Sequence, residues 1–232
     1  MKPPMSDQIV LVTGAKGGLG RSVTKAFLDA GARVAGTSRS IAETDFPHPS
    51  FAAFPADLLD AAQAAVLVQT VVSRFGRIDA LVHLAGGFTG GTLQETSDSV
   101  WDEMMNANVR AAFHVFRAVI PAMRTAGRGR IVAIGSRLAV ETAPGAAAYA
   151  ASKAALVSLV RSASLENRDA GITANAILPG TIDTAKNRDW GSPEERKKWV
   201  SPDRIADLAV FLVSDAAAEI TGAAIPVYGG AA

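Results

Sequence analysis

The 232-residue sequence contains no cysteine, only two tyrosines and three histidines. Without cysteine, disulfides and thiolate metal sites are excluded. His48, His83 and His114 lack metal-ligand spacing, so we interpret them as structural or surface residues and expect no metal. A net charge of +1 offers no electrostatic basis for binding nucleic acid or an anionic membrane surface. The sequence has no signal-peptide pattern and no apolar run near the roughly 18 residues of a membrane span. We therefore expect a soluble, cytoplasmic protein.

Hydrophobic residues make up 49% of the sequence and charged residues 19%, which is enough apolar material for a substantial core. No linker or repeat divides the chain, so we expect one domain over residues 1–232. Strand-like runs (8–14, 33–38, 51–56, 78–86, 130–136, 171–180, 223–230) alternate with helical patterns (18–32, 60–76, 98–125, 146–169, 201–215). This alternation predicts an α/β, Rossmann-like, doubly wound parallel sheet with helices on both faces. The ligand site of such a sheet lies beyond the carboxyl ends of its strands.

A glycine-rich stretch, TGAKGGLG (13–20), joins the first predicted strand to the first helix. Glycines allow close approach of a ligand, and the N-terminus of a helix favours an anion, so the loop suits a pyrophosphate. The spacing of Gly14, Gly18 and Gly20 differs from G-x-G-x-x-G, and a tight turn without a ligand is the alternative.

Tyr149 and Lys153 stand out in the alanine-rich stretch AAAYAASKAAL (146–156). Residues four apart share a helix face, and a nearby ammonium stabilises a phenolate, which makes proton donation by tyrosine easier. Alternatively, the tyrosine packs and the lysine extends into water. Ser136 ends the fifth strand and would lie at the same sheet edge as the glycine loop, which favours the catalytic interpretation.

Several separated motifs occur in one order along nearly the whole chain: T-G-x-x-x-G-x-G, A-G after the fourth strand, Asn108, and Ser136 with Y-x-x-x-K. Together they resemble the short-chain dehydrogenase/reductase family. The resemblance implies an NAD(P)-dependent oxidoreductase acting on CH–OH or C=O groups of a small-molecule carbonyl substrate, in a homotetramer or homodimer paired through the long alanine-rich helices. It implies Tyr149 as acid/base, Lys153 as support for Tyr149 and the nicotinamide ribose, Ser136 as holder of the substrate oxygen and Asn108 as anchor of a relay water.

The same resemblance implies where a dinucleotide would bind. The glycine loop holds the dinucleotide, a segment like PADL sits by the adenine, and P-G-x-x-x-T contacts the nicotinamide end. The implied residues, besides Tyr149 and Lys153, are Gly14, Lys16, Gly18, Leu19, Gly20, Ser38, Arg39, Asp57, Leu58, Ala85, Gly86, Pro179, Gly180, Ile182 and Thr184.

The residues after the second strand predict which dinucleotide binds. An acid there would bind the ribose hydroxyls of NAD, but Ser38 occupies that position and Arg39 follows it. A guanidinium suits a 2′-phosphate, so NADP(H) is preferred, with NAD(H) possible, and Lys16 is expected to add positive charge. The alternative is that Arg39 is a solvated loop residue.

Two stretches, LAGGFTGG (84–91) and LPGTIDTAKNR (178–188), are similar to dihydropteridine reductases, whereas Arg39 and Ser136 depart from them. A general carbonyl reductase is therefore the first interpretation. Reduction of a quinonoid pterin, reduction of a 3-oxoacyl thioester, a non-catalytic NADP-binding regulator and, least favoured, a methyltransferase are the alternatives. LVHLAG places His83 and Leu84 where the family usually has N-N. The polar segment 185–200 is interpreted as either a lid or a solvated loop.

Overall fold

The computed structural model describes residues 5–230, and a seven-stranded sheet runs through them in the order β3-β2-β1-β4-β5-β6-β7. Every neighbouring pair of strands is parallel. The strand order reverses at β1, which is the topological switch point of a doubly wound sheet and confirms the predicted fold class. The strands are β1 Ile9–Thr13, β2 Arg33–Thr37, β3 Phe51–Ala53, β4 Ala80–His83, β5 Gly129–Ile134, β6 Ile172–Pro179 and β7 Ala224–Val227.

Helices cover both faces of the sheet. Side chains of β1 alternate between two apolar cores: Ile9 and Leu11 face α2, α4 and α5, whereas Val10 and Val12 face α1 and α8. Because both faces are buried, the strands are apolar throughout. The helices are α1 Gly18–Asp29, α2 Ala61–Phe75, α3 Asp98–Met105, α4 Ala111–Ala126, α5 Ala147–Glu166, α6 Ala185–Arg188, α7 Pro193–Arg196 and α8 Pro202–Val213.

Three predicted elements differ from the structure. The third strand, expected over 51–56, ends at Ala53 because Pro55 has no amide hydrogen for the ladder. The long helix expected over 98–125 is divided into α3 and α4 by one π-helical turn, Asn106–Arg110. The segment 185–200, interpreted as a lid or a loop, forms the single turns α6 and α7, and α7 begins with a reciprocal capping box between Ser192 and Glu195.

Over residues 5–230, no helix combines the length and apolar character needed to cross a membrane. The same residues contain no cluster of three or more His, Asp or Glu side chains that could hold a metal ion.

Candidate active site

A cleft of about 540 Å³ opens beyond the carboxyl ends of β1, β2 and β4, at the switch point of the sheet. A cleft of this size is within the range of small-molecule and cofactor sites. Seven of the residues predicted to bind cofactor line it: Gly14, Ser38, Arg39, Asp57, Leu58, Ala85 and Gly86. Its other lining residues are Thr37, Ala56, Leu59, Glu103, Asn106, Ala107 and Ala111.

The glycine loop forms the floor of the site because side chains do not fit there. Gly14 has a φ of +67°, and a Cβ on it would lie 2.9 Å from the amide nitrogen of Ala85. A Cβ on Gly20 would collide with the carbonyl of Gly14, so glycine at this position allows α1 to pack closely against the glycine loop. The first turn of α1 contains Gly18 and Leu19 and no acidic residue. Its free amides and positive dipole end fit a pyrophosphate.

The end of the cleft at β2 contains polar groups without partners. The hydroxyls of Thr37 and Ser38 are buried and have no hydrogen-bond partner among the described residues. Arg39 is exposed and forms no ion pair within residues 5–230. A buried hydroxyl without a partner costs stability, and here two of them lie beside an uncompensated guanidinium. This combination fits a ligand with ribose hydroxyls and a phosphate.

Lys16 does not add a free positive charge to this end of the cleft. Its ammonium lies 3.0 Å from the Asp45 carboxylate and donates to the carbonyl of Ser40 at 3.0 Å. A backbone hydrogen bond from Ala42 and the hydrogen bond from Lys16 lower the pKa of Asp45. Lys16 therefore ties the glycine loop to the loop after β2, where its ammonium shares the Asp45 carboxylate with Arg21, so the positive charge expected there from sequence is partly compensated.

The four residues predicted to act in catalysis come from three elements. Alanine favours α5, which presents Tyr149 and Lys153 on one face, with the lysine nitrogen 5.8 Å from the centre of the tyrosine ring. Ser136 follows β5 after Gly135, where any Cβ would collide with Leu178 of β6. The Ser136 hydroxyl accepts from the amide of Leu138 at 3.1 Å and is hydrogen-bonded to Tyr149.

Burial changes the acidity of both α5 residues. It raises the pKa of Tyr149, and the hydrogen bond with Ser136 only partly opposes this. The tyrosine–lysine spacing predicts the opposite direction, but the ammonium of Lys153 donates to the carbonyl of Ile134 at 2.8 Å rather than to the phenol. Burial also lowers the pKa of Lys153 to about 8.

Asn108 lies in the π-helical turn with its side chain fully buried. Its Oδ1 accepts from the amide of Gly87 at 3.1 Å, and its Nδ2 donates to the carbonyl of Gly87 at 3.0 Å and to the hydroxyl of Ser152 at 3.1 Å. The side chain thus joins the loop after β4 to α5 and is already bonded to protein. A π turn disturbs the regular pairing of helix carbonyls, and such turns are frequent at functional sites. The relay water at Asn108 stays a prediction.

The segment after β6 closes the site against the glycine loop. Pro179 ends β6, and the amide of Gly180 donates to the carbonyl of Val227 at 2.9 Å. Ile182 is bridged to Val200. The side chain of Thr184 lies 3.0 Å from the position of a Cβ on Gly18, so the predicted nicotinamide-end segment reaches the predicted pyrophosphate loop.

Sequence reasoning missed Thr37, Phe88 and the cleft-facing residues of α3 and the π turn. Phe88 is 59% exposed and its ring lies 4.9 Å from that of Tyr149, nearly perpendicular to it. A large apolar residue in a glycine-rich loop indicates a ligand contact, because no buried core accounts for it there. Phe88 could therefore have been predicted from the sequence. The π turn has no comparable signal in the sequence.

A family model described as short chain dehydrogenase matches residues 8–195. Among proteins of established description, the chain is 35% identical over 243 residues to 2,3-dihydro-2,3-dihydroxybenzoate dehydrogenase of Escherichia coli K12, covering 97% of each chain. It is 32% identical over 236 residues to the 3-oxoacyl-[acyl-carrier-protein] reductase FabG of the same strain, covering 96% of each. A solved structure described as ElxO with NADP bound superposes with a TM-score of 0.91 at 27% identity, covering 97% of this chain and 98% of that one.

These matches span the glycine loop, the cleft and the α5 pair in the order in which they occur here. The family model alone covers most of the sheet, and the relatives are similar over almost their whole length. The chain therefore belongs to the short-chain dehydrogenase/reductase family of oxidoreductases.

Proposed function

We propose that this protein is an NADPH-dependent reductase that transfers a hydride to the carbonyl carbon of a small molecule, with Tyr149 as the proton donor. The observation that carries the proposal is the makeup of the cleft. One end holds the uncompensated Arg39 beside the two buried hydroxyls without partners. The other end reaches Gly86, where a Cβ would lie 3.4 Å from the Lys153 nitrogen.

The cofactor would supply the hydride, and this chain's residues would hold it along the cleft. The amides of Gly18 and Leu19 would hold the pyrophosphate, Asp57 and Leu58 would lie beside the adenine, and the guanidinium of Arg39 would pair with the 2′-phosphate. Ser38 in place of an acid removes the repulsion that a carboxylate would exert on that phosphate. The NADP named in the description of the ElxO structure is consistent with this choice.

The proton chemistry follows from Ser136, Tyr149 and Lys153. Ser136 orients the substrate oxygen beside the phenol of Tyr149, to which it is hydrogen-bonded. Burial raises the pKa of Tyr149, so the phenol carries its proton at neutral pH but is a weak acid by itself, and a cation beside the phenolate is what favours donation as the carbonyl is reduced. Lys153, with a pKa of about 8, is mostly charged at neutral pH and stabilises the phenolate left behind. The water-poor surroundings strengthen that attraction.

The test is NADPH oxidation by the purified protein with simple diketones, acetoacetyl thioesters and quinonoid dihydropterin. For any substrate turned over, Tyr149→Phe is expected to lower kcat by at least about 10²-fold, the low end for a positioned proton donor. NADPH affinity, measured by fluorescence titration, should be retained in the variant. Equal turnover by the variant would remove Tyr149 from the mechanism. NADPH binding without turnover of any substrate would instead favour the non-catalytic regulator.

We also propose a homo-oligomer formed through α3, α4 and α5. Each of these helices exposes a large apolar side chain: Trp101, Phe113 and Leu165, respectively. A large exposed apolar patch is typical of an interaction surface, and these three side chains would be buried if the helices paired between two copies of the chain. Light scattering on the purified protein should give the mass of a dimer or tetramer, and Phe113→Asp should shift it towards the monomer. A monomeric wild-type protein would contradict the proposal.

A further inference from the structure

His83, the last residue of β4, lies where the resemblance to the family leads one to expect asparagine. Its side chain is 1% exposed, and its Nδ1 lies 3.0 Å from the hydroxyl of Thr13 at the end of the neighbouring strand β1. Both side chains point to the face of the sheet covered by α4 and α5. None of the catalytic or cofactor roles proposed above uses this pair.

The protons of the pair can be assigned by counting. The Thr13 hydroxyl oxygen accepts hydrogen bonds from two backbone amides, that of Ala85 at 3.3 Å and that of Leu84 at 3.1 Å. The Leu84 amide also donates to the Thr13 carbonyl. A hydroxyl has two lone pairs and one proton. With both lone pairs engaged, the proton points to Nδ1 of His83, which must be an acceptor.

The ring is therefore neutral, with its proton on Nε2. Burial and the nearby Lys153 lower the pKa of His83 to about 3, which keeps this state across the physiological pH range. Nε2 has no hydrogen-bond partner among the described residues, and the ring lies nearly perpendicular to that of Phe116 at 5.8 Å. His83 thus acts through one lone pair rather than by exchanging protons.

The residues held by Thr13 form a crowded wall of the cleft. A Cβ on Gly14 would lie 2.9 Å from the Ala85 nitrogen, and one on Gly86 would lie 2.5 Å from Oδ1 of Asn108 and 3.4 Å from the nitrogen of Lys153. A side chain at Gly14 or at Gly86 would therefore collide with the backbone or with the buried side chains around the loop after β4. A small shift of this loop would therefore change the cleft wall beside Asn108 and Lys153.

We infer that His83 is a positioning residue for the cofactor: its Nδ1 orients the Thr13 hydroxyl, which holds the amides of Leu84 and Ala85 and so places Ala85 and Gly86 in the cleft wall. The inference rests on the proposed function insofar as that wall faces NADPH. It differs from a purely packing role for His83 because it depends on a single acceptor atom.

Two substitutions separate the acceptor from the bulk of the ring. In His83→Asn, Oδ1 stands at the same position along the side chain as Nδ1 and keeps the acceptor. His83→Leu has the same branching as asparagine and leaves a similar cavity, but it has no acceptor. The leucine variant is expected to weaken NADPH binding by about 5- to 150-fold, the range for a buried polar group left without its partner. The asparagine variant should stay within about threefold of wild type.

Hydrogen exchange over residues 84–86 provides a readout that needs no cofactor. Exchange should be faster in His83→Leu than in His83→Asn, while the asparagine variant resembles wild type. Thr13→Val, compared with Thr13→Ser, removes the same hydrogen bond from the other side and serves if the leucine variant does not fold. The double variant Thr13→Val/His83→Leu should lose little more NADPH affinity than either single variant, because both substitutions remove the same hydrogen bond.

Equal NADPH affinity and equal hydrogen exchange in the leucine and asparagine variants would overturn the inference. An equal loss of NADPH affinity in both variants would overturn it as well. A difference between them in exchange and affinity, without turnover by the wild-type protein, would support the positioning role and count against the reductase. If wild-type protein does not bind NADPH, the proposed function fails, and exchange over 84–86 alone decides the role of His83.

Discussion

Asp79 and Lys153 are both buried charged side chains, and they lie at opposite edges of the same sheet. Asp79, at the amino edge before β4, accepts from the amide of Ile9 at 2.8 Å and pairs with Arg77 at 2.9 Å and Arg128 at 3.5 Å. Lys153, at the carboxyl edge, donates only to the carbonyl of Ile134 and has no carboxylate partner within residues 5–230. The two residues are 1% and 6% exposed, so burial does not distinguish them.

The difference lies in compensation. Burying an unpaired charge lowers the stability of the fold, and Asp79 avoids this loss because it is paired with two arginines. Lys153 keeps an uncompensated charge next to Tyr149, at the edge of the sheet where ligands bind. We interpret the unpaired Lys153 as a loss of folding stability that serves the site, because an unpaired cation can stabilise a phenolate that forms beside it.

Lys153→Met should lower kcat by at least about 10²-fold, the range for losing one electrostatic contact to a transition state. The charge that stabilises the phenolate is lost, while the apolar side chain still fills the site. The measurement is steady-state kinetics on whichever substrate the panel yields. Lys25→Met, which removes an exposed lysine paired with Asp29 on α1, is the matched control and should leave kcat unchanged. Wild-type activity in the Lys153 variant would show that its charge is not used.

The pH dependence of stability should separate wild type from Lys153→Met. The folded pKa of Lys153 is about 8 and that of the unfolded chain about 10.5, so between these values only the unfolded chain binds the proton. The free energy of unfolding of wild type should therefore rise across this range relative to the variant, by at most about 3 kcal/mol. Below pH 8 the wild type should be the less stable of the two. Parallel curves from urea unfolding would contradict this prediction.

Asp79→Ala should lower the free energy of unfolding by about 2–3 kcal/mol, because the amide of Ile9 loses a charged acceptor. Arg77 and Arg128 are about half exposed and can be hydrated instead, which limits the loss. Activity per folded molecule should not change. Asp29→Ala, at an exposed ion pair, should cost well under about 1 kcal/mol. A loss of kcat in the Asp79 variant would mean that the two edges of the sheet are coupled.

Arg39→Ala should weaken NADPH by about 10- to 150-fold relative to NADH, which corresponds to a charged hydrogen bond of roughly 1.5–3 kcal/mol. Lys16→Ala provides the contrast: because its ammonium is held by Asp45 and by the carbonyl of Ser40 rather than left free, it should change the affinity for both cofactors alike. Dissociation constants for NADPH and NADH, measured at two salt concentrations, test both statements. A wild-type protein that prefers NADH would overturn the cofactor assignment.

Much of the site could be predicted because it follows local rules. The glycines of the loop, the i, i+4 pair on α5 and Ser136 at a strand end each depend on short stretches, and the order of strands and helices brings them to one edge. The sequence could not predict the burial that raises the pKa of Tyr149 or the pairing of Lys16, because both depend on neighbours distant in sequence: Ile134 accepts from the Lys153 ammonium, and Asp45 pairs with Lys16.

The sequence by itself determined the fold class, the family and the types of groups at the sheet edge, because hydrophobic periodicity and glycine positions act over one turn or one strand. Only the tertiary structure decided which charges are paired, that a π turn carries Asn108, and that Nδ1 of His83 meets the Thr13 hydroxyl. These properties arise from the distances between residues that are far apart in the chain. Thr13 and His83 are 70 residues apart and touch only because β1 and β4 are neighbours in the sheet.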